Sequence, residues 1–133
     1  MDASQSVLVV DDLRVMTTIL RKMLNEIGFA DIDYALDGGS ALQSLSQKSY
    51  GLVISDWEMQ PMTGPQLVQA VRQNEALSNT RIILITGHGM RQDEAWLAGA
   101  DGYLSKPFSA AELGEKIEDV FSISADALIN PIG

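Results

Sequence analysis

Short apolar runs alternate along this chain with longer stretches in which apolar residues recur at helical spacing. Val7-Leu8-Val9-Val10 is the first run, β-branched and stopped by Asp11-Asp12, the pattern of a strand buried on both faces. Leu13, Met16, Leu20, Met23, Leu24 and Ile27 then fall within about 100° of one helical face, which predicts an amphipathic helix closed by Gly28 as its C-cap. Ile32-Asp33-Tyr34-Ala35-Leu36 reads as a second strand whose internal Asp suits a sheet edge, and Ala41, Leu42 and Leu45 as a short helix after Gly38-Gly39. Leu52-Val53-Ile54 is a third strand ending at Ser55-Asp56. Past a loop with Pro61 and Gly64, along which Met59 and Met62 are expected to be partly exposed, Leu67, Val68 and Val71 mark the next helix. Arg81 to Thr86 is the fourth strand and Gly102-Tyr103-Leu104-Ser105 a short fifth, with a helix around Asp93 to Ala100 between them. Ser109 caps a last helix whose face is Leu113, Ile117, Val120 and Phe121.

Serial strand–helix units predict an α/β fold, a five-stranded parallel sheet doubly wound with helices on both faces. The runs that are apolar throughout, the first, third and fourth strands, need burial on both sides and take the centre. The more polar second strand and the short fifth take the edges. The order 2-1-3-4-5, as in flavodoxin-like folds, satisfies this and is permitted by right-handed crossovers, with a ligand crevice at the carboxyl ends of strands 1 and 3. The domain spans 1–122, and 123–133 reads as a C-terminal tail or the start of a linker.

Composition narrows the classes of function. The 133 residues carry 18 acidic and 9 basic side chains, a net charge of −9, and no cysteine. Disulfide frameworks, zinc–thiolate sites and thiol catalysis are therefore excluded. An anionic field repels phosphate backbones and anionic lipid, so neither nucleic acid nor membrane is an expected partner. No apolar run approaches the roughly 20 residues of a membrane span, and the first residues lack the features of a secretory signal. The expected location is the cytoplasm.

The strand ends carry the candidate chemistry. Asp11-Asp12 follows strand 1, Asp56 strand 3, Thr86 strand 4 and Lys106 strand 5. The acidic pair taken alone also reads as a helix N-cap with an acidic first turn. Taken with Asp56 and Lys106 it reads as a cluster at the switch point. Two carboxylates about 4–5 Å apart repel by roughly 3–4 kcal/mol at an effective dielectric of 20, which calls for a cation or raised pKa values. An all-oxygen donor set favours Mg2+. Magnesium held by carboxylates commonly serves phosphate chemistry, and a carboxylate can itself be the nucleophile. Lys106 and the Thr86 hydroxyl could then hold phosphoryl oxygens.

These pieces, with Pro61-Met62-Thr63-Gly64, Ile85-Thr86-Gly87-His88-Gly89, Gly102-Tyr103 and Lys106-Pro107-Phe108, resemble the receiver domain of two-component response regulators, in its single-domain, CheY-like form, from Val7 to Phe121. The resemblance implies that Asp56 is the phosphoacceptor. It implies a magnesium site made by Asp12, Asp56 and the backbone carbonyl of Glu58, with Asp11 acting through a water. It makes Thr86 and Tyr103 a switch pair, Lys106 a phosphate-binding lysine and Lys106–Pro107 a cis bond. Glu58 and His88 stand at the mouth of the site and would modulate it, while Trp96, with Tyr103, would belong to the partner-binding face. A histidine kinase or histidine phosphotransfer protein would donate the phosphoryl group, a downstream protein would read the result, and a phosphorylation-dependent dimer is a further expectation. Enzymatic activity would extend only to self-catalysed phosphorylation and dephosphorylation.

Rival readings differ at the same strand ends. A flavin or nucleotide binder would place Ser, Thr and Gly there rather than carboxylates. An aspartate-nucleophile phosphatase would carry its Asp-x-Asp motif on strand 1 and need a cap domain. A receiver-like interaction module not governed by phosphate, or the receiver fragment of a larger regulator, would keep the fold.

Overall fold

The computed structural model describes residues 4–87 and 99–129. Among them the elements run β1 (Val7–Val10), α1 (Arg14–Ile27), β2 (Ile32–Ala35), α2 (Gly38–Gln47), β3 (Leu52–Asp56), α3 (Gly64–Gln73), β4 (Arg81–Thr86), β5 (Gly102–Ser105) and α4 (Ala110–Ile129). Of the helix expected around Asp93 to Ala100, residues 93–98 lie outside the described residues. Gly99 stands in a turn at φ 91°.

All five strands are parallel, in the order β2-β1-β3-β4-β5. Alternation along the strands splits the core into two layers. Leu8, Val10, Val53, Ile82 and Leu84 point to one side, where Ala41 and Leu45 of α2 and Leu67, Val68 and Val71 of α3 cover them. Val7, Val9, Leu52, Ile54, Ile83 and Ile85 point to the other, beneath Leu20 and Leu24 of α1 and Leu113, Ile117 and Val120 of α4. The central strands are thus apolar throughout because both faces are buried. β2, at an edge, is only half covered, and its Asp33 accepts hydrogen bonds from Tyr50 Oη at 2.6 Å and Lys48 Nζ at 2.9 Å.

Capping residues set the helix starts. The Asp37 side chain accepts from the Ser40 N–H at the head of α2, Thr63 and Gln66 form a reciprocal capping box on α3, and Ser109 with Glu112 does the same for α4. Gly28 closes α1 at φ 127°, a left-handed conformation that glycine adopts without steric cost.

Two expectations are corrected. Leu13 does not join the core stripe of α1: it is the N-cap residue and 55% exposed, because the chain leaves β1 above the sheet before the helix turns in. Met59, expected with Met62 to be partly exposed on its loop, is only 2% exposed, since the loop folds its side chain into the α2–α3 layer, whereas Met62 is half-buried against the same layer, in line with that expectation.

Candidate functional site

β1 and β3 are neighbours and end at the same level, so the residues that follow them share one crevice. Asp11 is buried. Its Oδ1 accepts the Leu13 N–H at 3.0 Å, which fixes the turn from β1 into α1 and leaves Asp12 exposed at the crevice mouth. Asp56 is the last residue of β3 and is also buried. Carboxylate oxygens of Asp11, Asp12 and Asp56, one from each, lie within 4.8 Å of one another.

The backbone around Asp56 is held from several directions. The Trp57 N–H donates to the Ile85 carbonyl at 2.9 Å, extending the β3–β4 ladder past the acidic residue, and the Gly64 N–H donates to the Trp57 carbonyl at 2.8 Å, closing the loop. A side chain on Gly64 would put its Cβ 2.4 Å from the Asp56 carbonyl oxygen, so only glycine permits this approach. The Ser55 hydroxyl donates to that same carbonyl at 3.0 Å.

The cationic side of the crevice comes from β5. The Lys106 N–H donates to the Thr86 carbonyl at 2.9 Å, which carries the β4–β5 pairing one residue further and aims the side chain back across β4. Lys106 Nζ lies 3.4 Å from Asp56 Oδ1. Lys106–Pro107 is cis, as the resemblance implies, and Gln60–Pro61 is a second cis bond. Thr86 is buried, and its hydroxyl donates to the Leu104 carbonyl at 3.5 Å, toward β5. Tyr103 is half-buried with Lys116 Nζ 5.4 Å from its ring centre.

Burial pushes the carboxyls of Asp11 and Asp56 above the ordinary range. For Asp11 the neighbouring Asp56 and Asp12 charges add to that rise, and the Leu13 N–H opposes it. For Asp56 the Lys106 ammonium is the main opposing influence. Three carboxylates against one ammonium leave an excess of two negative charges. An all-oxygen cluster with that excess fits a hard divalent cation such as Mg2+.

The model of the response regulator receiver domain family matches residues 7–118. The chain belongs to that family. Chemotaxis protein CheY of Pseudomonas aeruginosa is 38% identical to this receiver over 117 residues, 86% of this chain and 94% of that protein. A putative response regulator from Chloroflexus aurantiacus superposes with a TM-score of 0.84 at 26% identity, covering 90% of this receiver and 98% of that chain. The receiver domain of sensor histidine kinase PA1611 from Pseudomonas aeruginosa, solved with a magnesium ion coordinated in its active site cleft, superposes with a TM-score of 0.80 at 26% identity and covers the same shares.

Asp11, Asp12, Asp56 and Lys106 are therefore brought to one crevice of the receiver, with Thr86 at the end of the adjacent β4 and Tyr103 on β5. Glu58 is exposed at the mouth. With Trp57, Met59, Gln60 and Thr63 it lines a hollow of about 420 Å3 beside the Asp56 loop. His88 and Trp96 lie outside the described residues. Sequence reasoning missed the support that Ser55 gives the Asp56 carbonyl; Ser55 follows an apolar strand run and carries no other signal. It also missed the Gly64 approach, although a glycine directly before Pro65 at a helix start was the available clue.

Proposed function

We propose that this receiver is a phosphorylation-controlled signalling switch with Asp56 as its phosphoacceptor. The observation that carries the reading is the ionisable carboxylate of Asp56 at the end of β3, with Lys106 Nζ 3.4 Å away and two further carboxylates beside it. An Asp56 carboxylate oxygen attacks the phosphorus of a phosphohistidine on a histidine kinase or phosphotransfer protein. The P–O bond forms as the P–N bond breaks, and the departing imidazole keeps the electron pair. Hydrolysis of the acyl phosphate by water restores the carboxylate and releases inorganic phosphate.

Asp12, Asp56 and the Glu58 carbonyl would hold Mg2+ with Asp11 behind them, and the bound ion would offset the charge on the phosphoryl oxygens. Lys106 holds a phosphoryl oxygen by charge-assisted hydrogen bonding. Thr86 turns its hydroxyl from the Leu104 carbonyl to another oxygen, and Tyr103 follows into the space behind it. This converts a local charge into a changed surface on β5 and α4, where a downstream protein reads it. Glu58, exposed at the mouth, affects the approach of water to the acyl phosphate. Glu58→Asn should alter the rate of phosphoryl loss, and an unchanged lifetime would remove that role.

The test is incubation with acetyl phosphate, with and without Mg2+, read by intact mass for the natural chain and Asp56→Asn. A magnesium-dependent gain of one phosphoryl group, absent in the variant, is the expected result. No adduct in the natural chain would mean a receiver-like interaction module that phosphate does not govern.

A further inference from the structure

The chain is strongly anionic, yet one helix concentrates cations that form no ion pair among the described residues. Among the described residues, Lys48 pairs with Asp31 and Asp33, Arg72 with Asp101 and Lys106 with Asp56. Lys116 lies over the Tyr103 ring, and Arg81 Nη1 donates to the Asn79 carbonyl. Arg14, Arg21 and Lys22 of α1 are all exposed and form no ion pair among the described residues. Arg14 opens the helix, where the aligned peptide dipoles disfavour a cation, and no acidic residue in that first turn offsets it. Folding therefore gains nothing evident from this placement.

Arg14 and Arg21 are separated by two helical turns and lie on the side of α1 that faces the open edge of the sheet. Tyr34 of β2 stands there. It is paired in register with Val9, whose side chain enters the α1–α4 layer, so Tyr34 points to the same side of the sheet. Among the described residues no strand lies beyond β2, and Tyr34 is 51% exposed. Arg14, Thr17, Thr18, Arg21 and Tyr34 enclose a hollow of about 180 Å3. The hydroxyls of Thr17 and Thr18 both donate to the Arg14 carbonyl, so the donors left facing the hollow are the guanidinium groups and the Tyr34 hydroxyl. Forked guanidinium donors match carboxylates in geometry as well as charge, and Arg and Tyr are the side chains that most often anchor protein interfaces.

We propose that the α1–β2 face is a docking surface for an acidic segment of a partner protein, which seats a carboxylate between Arg14 and Arg21 with Tyr34 packed alongside. The occupant follows from charge complementarity. An anionic protein with one cationic face is steered toward an anionic partner through that face, while the rest of its surface repels it. None of the residues that line this hollow belongs to the acidic cluster, so the proposal does not rest on Asp56 or on the phosphorylation reading.

The test uses the full chain labelled with 15N and a peptide of ten glutamates as the probe, at low salt and at 0.15 M salt. Expected are saturable amide shifts confined to α1 and β2, with the affinity lowered about tenfold, equivalent to 1.4 kcal/mol, by Arg14→Gln/Arg21→Gln. Tyr34→Ala should weaken it as well, whereas Lys116→Gln and Asp56→Asn should leave it unchanged. Higher salt should weaken binding because the surface is exposed. Absence of shifts, shifts scattered over the surface, or equal affinity in the double variant would overturn the proposal. So would shifts at these residues from a phosphatidylserine vesicle or a DNA oligonucleotide without any from the peptide. The Gln variants replace exposed side chains, and their own amide spectra report whether the fold is kept.

Discussion

Burial raises the carboxyls of Asp11 and Asp56, and the sign of the consequence follows from linkage. The folded protein holds these protons more tightly than the unfolded chain does. Its stability therefore falls as pH rises from the ordinary carboxylate range through the folded pKa values, and stays lowered at neutral pH. Asp11→Asn keeps the oxygen that accepts the Leu13 N–H while removing the charge. At pH 7 without divalent ions the variant should melt higher, by on the order of 1 kcal/mol or about 3 °C. The gain should vanish as pH approaches 3.8, the ordinary Asp value. Thermal melts across pH check both statements, and a variant less stable at pH 7 would contradict them. At the same scale, Gly64→Ala must push its Cβ away from the Asp56 carbonyl. It should cost about 2 kcal/mol or more and reduce Mg2+ affinity with it, measurable by urea unfolding and by magnesium titration of Trp fluorescence.

Among elements, one side chain ties several together. Arg72, at the end of α3, donates from Nε to the Gly99 carbonyl at 3.0 Å and from Nη1 to the carbonyls of Ser78 and Thr80 at 2.8 and 2.6 Å. Its Nη2 reaches Asp101 Oδ2 at 2.7 Å, and the same oxygen accepts the Ile82 N–H. The planar fork thus joins α3 to the turn before β4 and to the chain entering β5. Lysine offers one ammonium and cannot reach so many carbonyls at once. Arg72→Lys should lower stability by about 2–3 kcal/mol, since several part-buried acceptors lose their donor, and urea unfolding would show it as a lower midpoint with an unchanged slope. A midpoint equal to that of the natural chain would mean that water replaces the guanidinium without loss.

The whole molecule carries a net charge of −9, and its compact state concentrates that charge. Raising monovalent salt from about 0.01 M to 0.15 M shortens the screening length from about 30 Å to about 8 Å. The melting temperature should rise by a few degrees as repulsion is screened. Magnesium should act differently, through its site: at one hundred times its dissociation constant it should add about 2.7 kcal/mol. In Asp12→Asn/Asp56→Asn the salt effect should persist and the magnesium effect disappear. Equal responses to sodium and magnesium at matched ionic strength would mean that the acidic cluster holds no specific cation. Among the described residues no helix is long and apolar enough to cross a membrane.

Much of this architecture was legible in the chain because its signals are local. An uninterrupted apolar strand can be stable only with both faces buried, so the centre and edges of the sheet followed from Val7–Val10, Leu52–Ile54 and Arg81–Thr86. Caps were equally readable, since Gly28 and Ser109 act on neighbouring backbone. Leu13 misled because helical periodicity is blind to where a helix begins, and Met59 because a loop's burial depends on what folds over it. Only the tertiary structure could bring the carboxylates of Asp11, Asp12 and Asp56 within 4.8 Å, since strand register decides that distance. It also decided that Arg72 reaches Gly99 and Asp101, far along the chain, as well as the nearby Ser78 and Thr80, and that Arg14, Arg21 and Tyr34 surround one hollow. The pattern of apolar residues dictates which faces are buried, because burial is a property of each segment's own composition. Which polar groups meet is settled by the packing of segments distant in sequence, and periodicity holds no record of it.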